Sequence, residues 1–574
     1  MDWYSNYLRW KADKAIKDEL SIQLKSLTTK DKIDCFYKNL EFGTGGIRGE
    51  LGPGTNRINI YTIRKAAEGV ARYIEMKGEK AKAQGVVIAY DSRYKSTEFA
   101  IEAAKTIGQH GIKIYLFESL RSTPELSFAV RHLNAFNGIV ITASHNPPEY
   151  NGFKVYGQDG AQIGPLMAEE IITKVNEVED ELTVAVAEEE SLKEKGLLTL
   201  IGSEVDREYL IQLEKVTLNK NLISKMEDVL KIIYTPLHGT GNLPVRNGLL
   251  AAGFKNVQVV KEQEMPDSNF STVASPNPEE HEVFELAIKY GEQMDADILM
   301  GTDPDTDRVG VAAKNHDGKF QILSGNQVGA LLLNYLIIQK KELGTLKETD
   351  TVLKTIVTSE IGRAIAKSHN LKTIDTLTGF KYIGEKINEF EVSKPNTFLF
   401  GYEESYGYLI SDFVRDKDAI QSCVLIAEVA AYYKFFGMTL YEGLQQLFEE
   451  YGYYQESLKS LTLKGKDGIE QINRMLTLFR DTPPTEFAGI KVTIIEDYLL
   501  SVRTNTQKGT KETIHLPRSN VIKFKMENDS WFCLRPSGTE PKIKLYFGVK
   551  DSTLEKSKTA IEELENDVMN KIST

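Results

Sequence analysis

The segment Thr302-Asp-Pro-Asp-Thr-Asp-Arg sets three carboxylates, Asp303, Asp305 and Asp307, at alternate positions of one short stretch. A tightly wound loop would converge all three, and carboxylate oxygens are the hard ligands that Mg²⁺ or Ca²⁺ takes. Calcium in the EF-hand register is disfavoured, because the sixth position is Arg308 where Gly is needed and the twelfth is Lys314 where Glu is needed. Converged at about 4 Å without a cation, each carboxylate pair would repel by roughly 4 kcal/mol at an effective dielectric of about 20, whereas a splayed, hydrated loop would escape most of that cost.

Three further segments carry usable groups. Thr142-Ala-Ser-His-Asn-Pro-Pro puts the Ser144 hydroxyl beside the His145 imidazole and stiffens the chain after them. Ser144 could be a nucleophile or a phosphoryl carrier, or Ser and Asn could simply close a turn on their own backbone. No Gly-x-Ser-x-Gly elbow surrounds it, which counts against an α/β-hydrolase. Gly401-Tyr-Glu-Glu-Ser-Tyr-Gly-Tyr offers acceptors and a hydroxyl among aromatic rings, a composition suited to sugar hydroxyls or, equally, to an exposed strand end. Leu534-Arg-Pro-Ser-Gly-Thr-Glu-Pro-Lys combines a guanidinium, two hydroxyls and a glycine, as a phosphate cradle or a polar turn would. A second glycine loop, Phe42-Gly-Thr-Gly-Gly-Ile-Arg-Gly, carries Arg48 but lacks the dinucleotide-binding spacing, and no Gly-x-x-x-x-Gly-Lys-Ser/Thr occurs.

The elements that would hold these loops follow from period. Helical amphipathic stretches alternate with short β-branched runs over the first three quarters of the chain, the rhythm of βαβ units. Strands are predicted at Val86–Tyr90, Ile112–Phe117 and Gly138–Ala143, then Leu230–Thr235, Val257–Val260 and Ile298–Gly301, then Val352–Val357, Leu371–Asp375 and Thr397–Gly401. Each block is expected to bury its own sheet. The third strand of each stops at one of the reactive loops, and ligands of parallel α/β sheets bind beyond the carboxyl ends of strands, so the three loops should face one site. The last block differs: strands at Lys491–Ile495, Val521–Met526 and Lys544–Val549 precede a charged helix from Thr553 to about Ile572, an α+β arrangement. Boundaries are expected near residues 207, 320 and 450, giving domains 1–207, 208–320, 321–450 and 451–574.

Four domains also suit the length, 574 residues at about 150 per domain. With 82 acidic and 70 basic side chains the net charge is −12, which argues against nucleic acid and anionic membranes as partners. Three scattered cysteines, Cys35, Cys423 and Cys533, build neither a disulfide framework nor a zinc site and suggest a reducing compartment. The N-terminus lacks the apolar stretch of a signal peptide, and the run Ala330–Ile338 falls far short of the ~20 residues of a membrane span. A cytoplasmic protein is expected.

In this order and combination the loops resemble those of the α-D-phosphohexomutase superfamily, its bacterial α-phosphoglucomutase branch above all, over residues from Phe42 to Tyr546. The resemblance implies a four-domain, heart-shaped α/β architecture, three similar α/β domains and a C-terminal α+β domain around a central cleft. It implies that Ser144 carries the catalytic phosphoryl group and that one Mg²⁺ is held by Asp303, Asp305, Asp307 and the Ser144 phosphate. Glu403 and Ser405 match the sugar loop, and Arg535, Ser537, Gly538 and Thr539 the loop for the non-reacting phosphate. Arg48, His145, Lys154, Arg308, Gly379 and Lys381 in Thr378-Gly-Phe-Lys, and Lys417 match other cleft positions. Many relatives have Asp-Gly-Asp where this chain has Asp303-Pro304-Asp305. The implied reaction interconverts α-glucose 1-phosphate and glucose 6-phosphate, with glucose 1,6-bisphosphate as intermediate and activator. The implied partners are small sugar phosphates, and the sequence names no oligomeric state. Phosphomannomutase, phosphopentomutase, a metal-dependent phosphatase and a phosphosugar-binding protein are the alternatives.

Overall fold

The computed structural model describes residues 3–573 except 15, 17, 44, 394, 464 and 537–541. The phosphate-loop residues Ser537, Gly538 and Thr539 therefore lie outside the described residues.

Three sheets repeat one connection. In the first, Val86–Tyr90 pairs in parallel with Ile114–Phe117 on one side and Asn137–Ile141 on the other, and Tyr150–Tyr156 returns antiparallel beside the latter. The second sheet does the same with Ile232–Thr235 between Val257–Val259 and Ile298–Thr302, and Val309–Lys314 returning. In the third, Asp350–Thr355 lies between Lys372–Thr376 and Thr397–Glu403, with Gly407–Leu409 returning. In each unit helices connect the parallel strands, among them Ser96–Gly108 and Thr123–His132 in the first. Central strands such as Val-Val-Ile-Ala-Tyr are buried at every position, which is why they read as continuous apolar runs rather than alternations. The hairpin joining third and fourth strands is where each unit carries its reactive loop.

The first two units each bury a core of their own on one side of the sheet, around Ile63, Val86 and Ile139 in the first and Ile233, Leu299 and Ala312 in the second, and share another with the third. One apolar cluster runs from Val87 through all three to Phe448. Its bridge is the helix Ala419–Phe435, whose side chains are buried on nearly every face, the signature of a helix enclosed by protein. The fourth domain has its own core, in which Phe479, Phe487, Phe524 and Phe532 pack together and Phe524 and Phe532 stack at 4.8 Å. Its antiparallel sheet includes Tyr453–Thr462, Lys542–Asp551, Trp531–Pro536, Ile522–Met526 and Ile490–Asp497, backed by helices Gly465–Asp481 and Leu554–Ser573. A smaller cluster of Ile356, Val357 and Leu377 with Tyr498, Trp531 and Tyr546 joins it to the third domain. No single helix among the described residues is long and apolar enough to cross a membrane.

Candidate active site

The three hairpin loops meet. Ser144, in the left-handed region at φ 53°, donates its hydroxyl to Asp303 Oδ2 at 2.7 Å and lies 3.1 Å from His145 Nδ1. Its N–H donates to Thr142 Oγ1 at 2.8 Å, which closes the turn from within. The turn is closed by the Thr142 hydroxyl rather than by Ser144 or Asn146, which leaves the Ser144 hydroxyl directed at the carboxylates.

Asp303, Asp305 and Asp307 are buried and converge, with one oxygen of each within 4.8 Å of the others. The loop winds tightly because Asp303 Oδ1 accepts the N–H groups of Asp307 and Arg308 at 3.1 and 3.0 Å, with Thr306 left-handed at φ 58°. Lys154 Nζ reaches Asp305 at 2.8 Å and Asp307 at 3.6 Å, and Lys417 Nζ reaches Asp307 at 3.1 Å. These two ammonium groups offset the mutual repulsion. Burial, reinforced by Asp305 and Asp307, raises the Asp303 carboxyl well above the usual carboxylate range. For Asp305 the burial penalty is outweighed, chiefly by Lys154, and its pKa falls. Asp305 Oδ1 and Asp307 Oδ1 are buried oxygens with no hydrogen-bond donor. Two orphaned acceptors inside a cluster of carboxylate oxygens fit a hard divalent cation.

Two supports of this loop were not foreseen. Thr123, at the start of its helix, donates its N–H to the Asp305 carbonyl at 2.9 Å and its hydroxyl to Asp305 Oδ2 at 3.0 Å. Thr240 donates N–H and hydroxyl to the Pro304 carbonyl at 2.8 and 3.0 Å, and a Cβ on Gly239 would stand 2.4 Å from Pro304 Cα. Pro-Leu-His-Gly-Thr-Gly follows a first strand, so the strand-end rule could have flagged it. Thr123 carried only a capping signature, Ser122 with Glu125, which says nothing about a partner 182 residues away.

A cavity of about 600 Å³ opens beyond the loops. Arg48, Ser144, His145, Lys154, Asp307, Arg308, Gly379, Glu403, Ser405, Lys417 and Arg535 all line it. Arg48 donates to Asn146 Oδ1 at 2.9 Å and Arg308 to Glu279 at 2.7 Å. Burial, aided by Arg308 and Arg48, lowers His145 well below the ordinary imidazole value. Burial opposes the Lys154 charge, but Asp305 and Asp307 more than restore it. Glu403 accepts the Gly379 N–H at 2.8 Å, and burial, partly offset by Lys417, pushes its carboxyl up to about 7. Gly407 is required beside it, since a Cβ there would meet the Lys417 side chain at 2.1 Å. Lys381 sits on the helix Phe380–Ser393 with its Nζ 5.1 Å from the centre of the Tyr382 ring rather than on the cavity wall, and burial lowers it to about 8. At the fourth-domain end, Arg535 donates to the Tyr546 hydroxyl at 3.3 Å and pairs across the sheet with Lys544. Lys544 also lines the cavity, and the period-2 rule on that strand could have named it.

Four descriptions of one family match the chain in order: phosphoglucomutase/phosphomannomutase alpha/beta/alpha domain I over residues 39–182, domain II over 207–318, domain III over 324–451, and the C-terminal domain over 482–564. The chain belongs to the phosphoglucomutase/phosphomannomutase family. Its four-domain α/β architecture is that of the phosphohexomutases, and it is an enzyme of the isomerase class. Proteins named phosphoglucomutase from Staphylococcus aureus strains USA300 and MSSA476 are 41% and 40% identical to it over 515 residues, 90% of each chain. Among solved structures, parafusin (phosphoglucomutase) from Paramecium in its open form shares the fold with a TM-score of 0.68 at 18% identity, over 94% of this chain and 95% of that one. A phosphoglucomutase/phosphomannomutase family protein from Burkholderia thailandensis shares it with a TM-score of 0.64 at 17% identity, over 92% and 96%.

Proposed function

We propose that the protein is a phosphoglucomutase, interconverting α-D-glucose 1-phosphate and glucose 6-phosphate through phosphorylated Ser144 and a glucose 1,6-bisphosphate intermediate. The observation that carries this reading is the 2.7 Å contact between Ser144 Oγ and Asp303, on the wall of a cavity that Arg535 of the fourth domain also lines. A phosphoryl carrier beside a cation-binding cluster, facing a distant anion anchor, is the parts list for moving a phosphoryl group between two ends of one sugar. The relatives at 41% identity favour glucose as that sugar.

The P–O bond to Ser144 breaks as a bond forms to the 6-hydroxyl of glucose 1-phosphate; His145, kept neutral by burial, takes the hydroxyl proton and passes it to the freed Ser144 Oγ, while Lys154 stays charged beside the carboxylates. The bisphosphate turns end for end, its C1 phosphoryl group passes to Ser144, and glucose 6-phosphate leaves. Asp303, Asp305 and Asp307 would hold one Mg²⁺, which when bound would supply electrostatic stabilisation of the transferring group. Arg48, Lys417 and Arg308 surround that group with positive charge, Glu403, Ser405 and Gly379 serve the sugar, and Arg535 with Ser537, Gly538 and Thr539 grips the other phosphate, while Lys381, off the cavity wall, is left without a direct part. Closure of the fourth domain keeps the intermediate from escaping. A trace of glucose 1,6-bisphosphate acts as activator by rephosphorylating empty Ser144. Three buried, unpaired cysteines are in keeping with a cytoplasmic enzyme.

Turnover of glucose 1-phosphate with bisphosphate primer tests the reading. Isomerised sugar phosphate supports it; release of inorganic phosphate alone would make the protein a phosphatase, and binding without either product would make it no enzyme.

Two substitutions probe the far side of the cavity. Arg535→Ala removes a bidentate donor to the remote phosphate, so KM should rise by roughly 10- to 100-fold with a smaller change in kcat. Steady-state kinetics with both constants unchanged would remove the fourth domain from the binding scheme. Glu403→Gln keeps shape but removes a charged acceptor. Each carboxylate oxygen has two acceptor sites, so Oε1 can serve a sugar hydroxyl beside the Gly379 N–H. The hydroxyls at C3 and C4 are common to glucose and mannose, so kcat/KM for both phosphates should fall by similar factors, roughly 10- to 100-fold. A variant that lost glucose activity but kept mannose activity would place Glu403 at C2 instead.

A further inference from the structure

The Ser144 loop is held from beneath by a side chain that no motif singled out. Arg93 follows the strand Val86–Tyr90 and is only 3% exposed. Its guanidinium serves four main-chain carbonyls of the loop. Nη2 donates to Ser144 O at 2.5 Å and to Asn146 O, and Nη1 donates to Pro147 O at 2.8 Å and Tyr150 O at 3.1 Å. The planar fork of a guanidinium can meet such an array, whereas a lysine ammonium is a single point with three donors. Asp91 balances the charge at 3.3 Å and is itself fixed by the Arg93 N–H at 2.9 Å and the Ser96 hydroxyl at 2.7 Å.

The second domain closes the other side. The Phe270 ring lies over the guanidinium at 5.0 Å, and Ser275 Oγ donates to the His145 carbonyl at 3.0 Å. The same segment is tied to the metal loop's cradle. His238 Nδ1 lies 3.0 Å from the Met265 carbonyl and its Nε2 lies 2.9 Å from Thr272 Oγ1, while the next two residues, Gly239 and Thr240, support Pro304. A continuous series of contacts therefore joins the carboxylate loop to the serine loop, and Arg93 is its last member before Ser144.

A serine at φ 53° occupies a region that non-glycine residues rarely adopt, and such a conformation persists only where its surroundings over-determine it. Arg93 provides that determination, because its four bonds fix the peptide planes on both sides of the turn. We propose that Arg93, covered by Phe270, is a positioning residue for the phosphoryl carrier, setting the distance and angle of Ser144 Oγ relative to the carboxylate cluster. The proposal rests on Ser144 being the carrier. Arg93 lies beneath the loop, outside the sugar and remote-phosphate contacts, so its loss acts on the chemical step and leaves substrate binding alone.

The test compares Arg93→Ala, Arg93→Lys and Ser144→Ala in the full chain, by kcat, KM, melting temperature and the rate at which intact mass gains a phosphate from glucose 1,6-bisphosphate. In Arg93→Ala, kcat should fall about 100-fold with KM unchanged, the penalty of a carrier displaced by roughly 1 Å. Phosphate should still appear on the enzyme, but slowly. Added ethylguanidinium should restore part of the rate to Arg93→Ala and none to Ser144→Ala, and Arg93→Lys should stay impaired because it lacks the fork. Should Arg93→Ala not fold, Phe270→Leu keeps the guanidinium and removes only its cover, with an expected kcat loss of about 10-fold at unchanged KM. Parent-like kcat in a folded Arg93→Ala or Phe270→Leu, or a loss appearing in KM rather than kcat, would overturn the proposal. If Ser144→Ala is inactive while Arg93→Ala runs at the parent rate, only the positioning role fails; an active Ser144→Ala overturns the carrier assignment, and the positioning proposal falls with it.

Discussion

Ser144→Ala should leave almost no mutase turnover, a fall of roughly 10⁴- to 10⁶-fold, and should lose the phosphate adduct that the parent gains from glucose 1,6-bisphosphate. The expectation rests on Oγ being the atom that receives and returns the phosphoryl group. Thr123 also places a hydroxyl on the cluster, at 3.0 Å from Asp305, but it is wholly buried at a helix start and cannot substitute. Alanine at φ 53° is strained, so loss of activity alone could reflect a disturbed loop. Ser144→Gly removes that objection, since glycine adopts a positive φ without steric cost. It should be equally inactive and at least as stable as Ser144→Ala. Intact-mass spectra and coupled assays on both variants decide the matter, and parent-like turnover in either would end the phosphoserine mechanism.

The second large effect concerns charge at the cluster. Asp305→Asn and Asp307→Asn keep volume but replace orphaned anionic oxygens with neutral amides, and kcat should fall by roughly 10³-fold, far more than KM changes. Chelation of the parent with EDTA should abolish activity, and added Mg²⁺ should restore it. A binding readout independent of turnover is available: Mg²⁺ should raise the melting temperature of the parent, because a ligand of the folded state alone stabilises it, and should not raise that of Asp307→Asn. Asp307→Asn should also melt below the parent without metal, since it removes a carboxylate from Lys417 at 3.1 Å and from Lys154 at 3.6 Å. Full activity of metal-stripped parent enzyme would refute the assignment.

Much of this site was legible because its chemistry sits where apolar strands stop. Val-Ile-Thr-Ala-Ser, Leu-Met-Gly-Thr-Asp and Leu-Phe-Gly-Tyr-Glu each announce both an element and its functional end, and the strands at Val86–Tyr90, Val257–Val259 and Ile298–Thr302 fall within a residue or two of their expected bounds. What stayed hidden was every contact between units. Nothing local in Lys154 points to Asp305, 151 residues on, and nothing in Asp-Ser-Arg-Tyr marks Arg93 as the support of a loop more than 50 residues away. The expectation that each block buries its own sheet held for one side of the first two sheets and not for the other, for a related reason. Ala419–Phe435 is apolar all round, so its pattern shows that it is enclosed without showing by what, and the answer is neighbours from two sheets at once.

The continuity of that core has a consequence for how a sugar bisphosphate changes ends. Ser144, the carboxylates and Glu403 sit on loops whose strands pack into one continuous apolar cluster, and such interiors shift between discrete packings rather than bend. Arg535 belongs to a domain with a separate interior, joined through a small patch around Ile356, Trp531 and Tyr546. On the mechanism proposed above, the cheap degree of freedom is then the fourth domain moving over an immobile remainder. The reacting groups would on that mechanism stay fixed through the cycle while the substrate does the turning, and the patch that would have to give includes Val357 and Tyr546, on the wall of the same cavity.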